Sequence, residues 1–346
     1  PACAEENFAR RTATVDLRGR VVLITGARIK IGYQVALKLL RAGARVLATT
    51  RFPHDAARRY AREPDFNTFS DRLHIHRVDL RDIPFVEAFA THVAATYPRL
   101  DILINNAAQT VLKPPAFYAH LRAWEATPST LLPAELQPLV TDVPQVEQAR
   151  LGQVGVESWI DVSAHERQIF PPGSNDGHGQ PLDLRTRNSW RLRAHEVTTP
   201  ELLEVHLINS VAPFILVSRL REAMVATPAT DTFIVNVSAV EGQFQRGFKS
   251  VYHPHTNMAK AGLNMLTRTS AADYARDRIY MNSVDTGWIT NENPHPIAEK
   301  MAVGGFETPI DETDAAARIC HPIFAGIRSG EPMFGHFLKD YNVVPW

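Results

Sequence analysis

The chain has 346 residues, of which 45% are hydrophobic and 21% are charged, as in a globular protein and unlike a disordered, collagen-like or coiled-coil chain. Its 37 basic residues balance 37 acidic residues, so no net charge attracts nucleic acid or an anionic membrane. Two cysteines are too few for a disulfide framework or a cysteine-ligated metal site, and they are typical of a reducing compartment. We therefore expect a cytoplasmic protein with no metal site, no nucleic-acid partner and no membrane.

Residues 1–18 form a polar N-terminal leader, in which Glu5, Glu6, Arg10 and Arg11 leave no apolar core for a signal peptide. No run of about 18 apolar residues follows it. The sequence therefore predicts neither a signal peptide nor a membrane span.

Residues 19–50 have the pattern of a strand, a helix and a second strand. Val21–Thr25 is a continuous apolar run, which predicts a strand buried on both faces. Apolar residues then recur at helical spacing as far as Gly43, and a second apolar run at 46–48 follows at once. Further strands are predicted at 73–78, 100–104, 233–237 and 280–284, with helix-forming segments between them. This alternation predicts an α/β fold with a doubly wound parallel sheet.

Residues 110–199 break this rhythm with many prolines and the loop-like sequence PPGSNDG at 171–177. Because a structureless loop of this length is implausible in a compact domain, we predict an insertion after the fourth strand, with helices at 134–139 and 146–151. It is either surface decoration or a lid or substrate subsite at the carboxyl ends of the strands. Its aromatic residues are consistent with an apolar substrate pocket or with a core of its own: Phe117, Tyr118, Trp124, Trp159, Phe170 and Trp190.

The turn between the first strand and the first helix reads TGARIKIG, from Thr25 to Gly32. Glycines at this place let the backbone approach a pyrophosphate, and the helix N-terminus supplies unpaired N–H groups. A plain strand-to-helix turn also explains the spacing, but the position after the first buried strand favours a nucleotide site. The residues expected to contact that nucleotide are Thr25, Gly26, Arg28, Lys30, Ile31 and Gly32.

Short polar residues follow the third and fourth strands, as Asp79-Leu80 and as NNAA at 105–108. At this point the chain resembles the short-chain dehydrogenase/reductase family, whose TGxxxGxG, D[LV], NNAG, Asn, Ser, YxxxK and PG elements run in this order. The resemblance covers all but the leader and the insertion, and it implies a single dinucleotide-binding Rossmann domain at 19–346, interrupted by the insertion. The further cofactor-binding residues that it implies are Asp79, Leu80, Asn105, Ala107, Lys260 and, in the DTGWIT loop, Thr286, Gly287, Ile289 and Thr290.

The same resemblance implies catalytic roles for three residues. Asn209 matches the helix asparagine whose main chain supports a water relay, Ser238 matches the serine that binds the substrate carbonyl, and Lys260 matches the lysine that holds the nicotinamide ribose. Each also has a plain structural interpretation, as a packed asparagine, a capping serine or a solvated lysine.

The family places a tyrosine four residues before this lysine, and the chain has Thr256 there. An alkyl hydroxyl is far harder to ionise than a phenol, so we expect another proton donor. Tyr252, His253 and His255 lie just upstream, and Pro254 leaves open which ring points inward. His255 is the first candidate because it directly precedes Thr256 at the predicted helix start.

Two other departures concern the cofactor. Lys30 stands where the family has its middle glycine, and its ammonium can reach a phosphate, as can Arg28. The second strand ends in ATTR at 48–51, whereas NAD-specific members carry an acidic residue there. Arg51 therefore favours a 2′-phosphate, and the expected cofactor is NADP.

Three functions remain open. The first is an NADP-dependent oxidoreductase that acts on a small carbonyl or alcohol with an altered proton donor. The second is an inactive NADP-binding sensor or scaffold, and the third is a lyase, dehydratase or isomerase on the same fold. The resemblance also implies a homo-oligomer whose contact helices begin near Pro200 and Thr256, with Met224, Met258 and Met265 adapting to the contact.

Overall fold

The computed structural model describes residues 2–141, 143, 163–226 and 230–346. Within these residues, the strands are β1 Val21–Thr25, β2 Arg45–Thr50, β3 Leu73–Arg77, β4 Ile102–Asn105, β5 Val140–Thr141, β6 Thr232–Ser238, β7 Ile279–Asp285, β8 Phe337–Lys339 and β9 Asn342–Val344. The helices are α1 Ala2–Thr12, α2 Lys30–Arg41, α3 Pro53–Tyr60, α4 Ile83–Thr96, α5 Arg122–Glu125, α6 Ala164–Ile169, α7 Thr199–His206, α8 Ala212–Arg219, α9 Arg221–Val225, α10 Pro254–Ala275, α11 His295–Val303 and α12 Glu312–Ser329.

The strands form one sheet in the order β5-β3-β2-β1-β4-β6-β7-β8-β9. All neighbouring pairs are parallel except β8 with β9. The chain builds outward from β1 in one direction and from β4 in the other, so a crevice opens between their carboxyl ends. The predicted doubly wound α/β fold is confirmed, and each of the six predicted strands is present.

Successive side chains along β1 point to opposite faces of the sheet, and helices cover both faces. Val22 and Ile24 of β1 pack on one face, which α2 and α12 cover, and Leu23 packs on the other, which α4, α8 and α10 cover. All three side chains are fully buried. A continuous apolar run is therefore the signature of a strand between two helical layers.

The insertion contributes an edge strand to the sheet, and the sequence did not predict this strand. β5 pairs with β3, and the helix predicted at 134–139 is wrong: only a short 3₁₀ turn, Gln137–Leu139, lies there. Pro138 removes a backbone donor from that segment, which prevents an α-helical turn. The helix predicted at 146–151 lies outside the described residues.

The leader contains a helix, α1, that packs on α12. Arg11 donates to Asp314 at 2.6 Å and also pairs with Asp311, and the guanidinium of Arg10 lies 3.1 Å from His321 Nδ1. Arg10 and Arg11 thus attach this helix to the domain.

The stretch Thr199–Arg219 is long and apolar enough to cross a membrane by length and composition, which the sequence analysis did not anticipate. Of its most apolar window, 44% is buried inside the fold, where α7 and α8 pack against α10 and α4. A π-helical turn, Leu207–Val211, joins the two helices.

Candidate functional site

The turn between β1 and α2 lies directly against the end of β4. Gly26 has a φ of +71°, and an added Cβ there would lie 2.9 Å from Ala107 Cα. A Cβ on Gly32 would overlap the Gly26 carbonyl oxygen and the Asn106 amide. Thr25 Oγ1 accepts from the main-chain N–H groups of Asn106 and Ala107, both at 3.0 Å. The glycines are thus required by close packing within the protein.

Lys30 has a φ of +55°, in the left-handed region that favours glycine. The family's glycine at this position is therefore explained by backbone conformation, and this chain tolerates the strain of a lysine. Lys30 lines the cavity that this turn borders.

A cavity of about 550 Å³ lies at the carboxyl ends of β1, β2 and β4. Ten of the predicted cofactor-binding residues line it: Gly26, Arg28, Lys30, Ile31, Gly32, Arg51, Asp79, Leu80, Ala107 and Thr290. Thr25, Asn105, Lys260, Thr286, Gly287 and Ile289 are not among the lining residues, and neither are Asn209, Ser238, Thr256 and His255. The structure thus brings ten of the sixteen predicted nucleotide residues to one cavity, whereas the other six and the predicted catalytic residues are outside its lining.

The two arginines near the end of β2 differ in their partners. Arg28 is buried, and it donates to Asp55 at 2.7 Å and to Gln180 of the insertion at 2.8 Å. Arg51 lies over the ring of Tyr118 at 4.5 Å and forms no hydrogen bond or ion pair from its guanidinium to any residue that the structure describes. Arg51 is therefore the better placed of the two to bind a further anion.

Asp79 is not a vacant carboxylate. Arg81, two residues further on, donates to both of its oxygens, the shorter bond being 2.6 Å. Burial works to raise the pKa of Asp79, but the bonds and charge of Arg81 outweigh it and lower the pKa below its ordinary value.

Lys260 lies one helical turn after Thr256 on α10, and its Nζ donates to the Val237 carbonyl at 2.8 Å, next to Ser238. Lys260, Ser238 and Thr256 are buried, with exposed fractions of 5%, 3% and 1%. Burial lowers the pKa of Lys260 to about 8, although Glu241 and Asp285 oppose the shift. The Ser238 and Thr256 hydroxyls have no hydrogen-bond partner among the described residues.

Asn209 lies within the π-helical turn and is fully buried. Its side chain accepts from the Gln109 N–H at 2.8 Å and donates to the Gln109 carbonyl at 2.9 Å. The side chain therefore fixes the loop that follows β4. π-Helical turns are frequent at functional sites.

A row of buried polar side chains aligns β4, β6 and β7 with α10. Asn105 donates to Asn236 at 2.8 Å, Asn236 donates to Thr267 at 2.9 Å, and Ser283 donates to Thr267 at 2.8 Å. Asn105 thus uses its amide nitrogen inside the fold. The row holds the helix that carries Thr256 and Lys260 in register with the strand that ends at Ser238.

The three candidate proton donors lie in different surroundings. His255 is 1% exposed, and its Nε2 lies 3.6 Å from Glu201 Oε1. His253 stacks on Trp190 of the insertion at 3.8 Å, and burial lowers its pKa. Tyr252 is half-buried beneath the guanidinium of Arg191 at 5.3 Å.

Helix α12 contacts the loop after β7 through Arg318. Arg318 donates to the Thr286 carbonyl at 3.0 Å, and Gly287, with a φ of +85°, leaves room for that guanidinium. Thr290 donates to Glu292 at 2.7 Å. Arg318 and Glu292 were missed by the sequence analysis, because nothing in their local pattern marks them; Glu201 was missed although it starts a predicted helix.

The insertion's aromatic residues divide between two environments. Phe117 and Phe170 form a small separate core with Ala116, at a ring distance of 5.6 Å. Trp124 packs against the main core, and Trp159 lies outside the described residues. Phe117 and Tyr118 also line the 550 Å³ cavity, so the structure supports both interpretations that the sequence left open.

Comparison with known proteins agrees with this geometry. A family model described as short chain dehydrogenase matches residues 20–153, and one described as enoyl-(acyl carrier protein) reductase matches residues 186–308. The chain belongs to the short-chain dehydrogenase/reductase family. This confirms the predicted membership, while the departures at Lys30 and Thr256 remain features of this chain.

Two curated relatives show how far the similarity extends. An uncharacterized protein of Acanthamoeba polyphaga mimivirus is 33% identical over 339 residues, which is 93% of this chain and 66% of that protein. Human retinol dehydrogenase 11 is 36% identical over 96 residues, which is 28% of this chain and 30% of that enzyme. The chain thus spans just under two thirds of the viral relative's length.

Solved structures share the fold at low sequence identity. The carbonyl reductase Sniffer of D. melanogaster has a TM-score of 0.59 at 16% identity, covering 95% of this chain and all of that chain. RhlG of Pseudomonas aeruginosa has a TM-score of 0.58 at 17% identity, covering 94% and 95% of the two chains. These likenesses support the Rossmann fold of the family.

The buried ammonium of Lys260 predicts a specific pH dependence of stability. Its pKa is about 8 in the native protein and 10.5 ordinarily, so between these values the unfolded chain binds more protons and stability rises with pH. Relative to Lys260→Met, the free energy of unfolding of the parent should therefore rise by about 2 to 3 kcal/mol between pH 7 and 10. Urea unfolding of both proteins measures this, with Lys300→Met, at an exposed position, as control. A pH-independent difference would contradict a buried lysine.

Proposed function

We propose that the chain is an NADP-dependent oxidoreductase that transfers hydride between nicotinamide and a carbonyl or alcohol substrate, with a proton donor other than tyrosine. The observation that carries this proposal is the buried Lys260 ammonium beside Ser238, with the Ser238 and Thr256 hydroxyls left without protein partners. A buried polar group without a partner costs free energy. A substrate carbonyl supplies the missing partner for both hydroxyls.

The cavity fits the phosphate and adenosine parts of the cofactor. The turn with Gly26 and Gly32 borders it, Lys30 offers an ammonium to the phosphates, and Arg51 offers a guanidinium to a 2′-phosphate. In solved relatives of the fold, RhlG is an NADP complex and a carbonyl reductase from chicken fatty liver is NADPH-bound. When bound, the nicotinamide supplies or accepts the hydride. Lys260 would hold its ribose, as the family resemblance implies.

Arg51→Glu should reverse the preference between NADPH and NADH. A charged contact to the 2′-phosphate is worth about 1.5 to 3 kcal/mol, which is roughly tenfold to a hundredfold in affinity. Arg45→Glu is the matched control, because Arg45 is exposed at the opposite end of the same strand. Fluorescence titration measures both affinities. Equal or tighter binding of NADH by the parent protein would contradict the proposal.

His255 is the best supported proton donor. It is buried beside Glu201, whose Oε1 lies 3.6 Å from His255 Nε2. Burial works to raise the pKa of Glu201, but the proximity of His255 and Ser189 lowers it below its ordinary value. A carboxylate beside a histidine stabilises the protonated ring and fixes its orientation. We propose that His255 supplies the proton while Ser238 and Thr256 hold the substrate carbonyl.

Substitutions should separate the roles of these residues. His255→Gln should lower turnover by about 10² to 10⁴, the range for general acid catalysis, and remove one limb of the pH profile. Thr256→Ala should cost about five- to tenfold, since it deletes one neutral hydrogen bond. Lys260→Ala should abolish turnover and weaken cofactor binding, because it removes a charge-assisted hydrogen bond.

The pH dependence gives a second readout of the same series. The parent rate should rise as the pH falls toward 6, because a histidine that supplies the proton acts in its protonated form, and His255→Gln should remove this rise. His195→Gln, at an exposed position, is the control. Normal turnover of His255→Gln together with loss of turnover in Thr256→Ala would contradict a displaced donor.

A second candidate function is nucleotide binding without turnover, as in a sensor or scaffold. It is favoured by the absence of Ser238, Thr256 and Lys260 from the residues that line the cavity. In that case NADPH binds and no carbonyl compound is reduced.

We further propose that the protein is cytoplasmic and that Thr199–Arg219 is an internal helix and not a membrane span. The burial of 44% of its most apolar window supports this interpretation, since such a window in a core helix is buried by its neighbours.

We also propose a homo-oligomer. Leu203, Phe214, Met258 and Met265, on α7, α8 and α10, are 49% to 57% exposed, whereas Met224 is 1% exposed and belongs to the core. Exposed apolar groups on neighbouring helices are typical of a subunit contact.

Phe214→Glu should convert this oligomer to a monomer, because it places a charge in the contact. Phe8→Glu, at a 73% exposed position on α1, should leave the mass unchanged. Sedimentation at micromolar concentration measures both, and a parent mass equal to one chain would contradict the proposal.

A further inference from the structure

Part of the insertion lines the nucleotide cavity at the end of β2. Phe117 and Tyr118 border this cavity together with Arg51 and Phe52, which directly follow β2. The ring centroids of Phe52 and Tyr118 are 5.0 Å apart, and Phe52 is buried. An aromatic side chain of the insertion thus packs beside the arginine that the proposed function assigns to the 2′-phosphate.

Residues 115–125 of the insertion are bonded to the chain around the end of β2. The Glu125 carboxylate accepts from the Asp55 N–H at 2.9 Å and from the Arg77 guanidinium at 2.9 Å. Glu125 is buried, so solvent screens these bonds little. Arg77 also donates to the Arg51 carbonyl at 3.0 Å, so one guanidinium joins the insertion to the backbone that carries Arg51. These bonds hold this part of the insertion in a fixed position relative to the end of β2.

Arg28 and Arg51 differ in what holds their guanidinium groups. Both groups lie near the ring of Phe52, at 5.2 Å for Arg28 and 5.4 Å for Arg51. Arg28 donates to Asp55 at 2.7 Å, and this carboxylate neutralises its charge. Arg51 instead lies over the Tyr118 ring, 4.5 Å from the ring centroid. An aromatic face attracts a guanidinium without consuming its N–H donors, so the Tyr118 ring leaves those donors available to a phosphate.

We propose that Tyr118 is a specificity-determining residue: its ring positions the Arg51 guanidinium for a 2′-phosphate, so the insertion takes part in selecting NADP over NAD. An arginine side chain loses rotamer freedom when it binds a phosphate, and one that is already held on an aromatic ring loses less. Tyr118 therefore raises the affinity for NADP and not the affinity for NAD, which lacks this phosphate. This inference rests on the proposed binding of NADP, and Tyr118 acts as a positioning residue through Arg51.

Fluorescence titration with NADPH and with NADH tests this inference on variants of Tyr118. Tyr118→Leu keeps an apolar side chain and removes the ring, so the ratio of NADPH affinity to NADH affinity should fall about fivefold, as expected for loss of a partly exposed cation–π contact. The affinity for NADH should not change. Tyr118→Phe keeps the ring and should behave like the parent. In an Arg51→Gln background, Tyr118→Leu should leave the ratio unchanged, because the two residues act through one contact.

Trp124→Leu is the matched control and should leave the ratio unchanged. Trp124 lies in the same part of the insertion beneath another arginine, Arg58, at 5.4 Å, and it is not among the residues that line the cavity. If Tyr118→Leu does not fold, Tyr118→Met, whose unbranched side chain fills irregular gaps, takes its place.

Three results would overturn the role of Tyr118 while the parent's preference for NADPH stands: an unchanged ratio in Tyr118→Leu, equal weakening of NADPH and NADH binding in that variant, or an equal fall of the ratio in Trp124→Leu. The last result would assign the effect to loosening of the insertion. A parent protein that does not prefer NADPH would instead overturn the proposed cofactor, and the role of Tyr118 with it.

Discussion

The close approach of the β1–α2 turn to the end of β4 is the constraint on which the site depends. Two positions without a Cβ, Gly26 and Gly32, let the turn pack against Asn106 and Ala107, and Thr25 binds their N–H groups. This contact fixes the crevice where the strand order reverses. The cavity, the N-terminus of α2 and the position of Lys30 all follow from it.

The part of the candidate site around Lys260 consists of buried polar side chains. Lys260 is held against β6 with its pKa lowered to about 8, and a row of polar side chains from Asn105 to Thr267 aligns the helix that carries it. Close to this row, the Ser238 and Thr256 hydroxyls and the Asn105 side-chain oxygen are buried without a hydrogen-bond partner among the described residues. Buried groups of this kind are expected where a protein keeps groups for substrate.

Sequence patterns were sufficient for the parts of the molecule that local periodicity determines. The long apolar strands, the glycine turn and the helix beginning just before Thr256 were predictable, because each depends on neighbouring residues. The short strands β5, β8 and β9 were not, since pairing with an existing edge defines them more than their composition does. The contact of Asn188 with Glu292 joins residues 104 positions apart, and only the folded chain reveals it. The helix predicted at 134–139 failed because Pro138 lacks a backbone donor, and only a 3₁₀ turn forms there.

The function proposed for this site is hydride transfer with a proton donor other than tyrosine. Its most direct test is a single-turnover reaction of protein in excess over NADPH with a panel of aldehydes and ketones, followed at the reduced-nicotinamide absorbance band. The absorbance should be lost with at least one carbonyl compound, and faster as the pH falls toward 6. With the Lys260→Ala variant the absorbance should persist. Bound NADPH whose absorbance persists with every compound in the panel would contradict the claim and favour a nucleotide-binding protein without turnover.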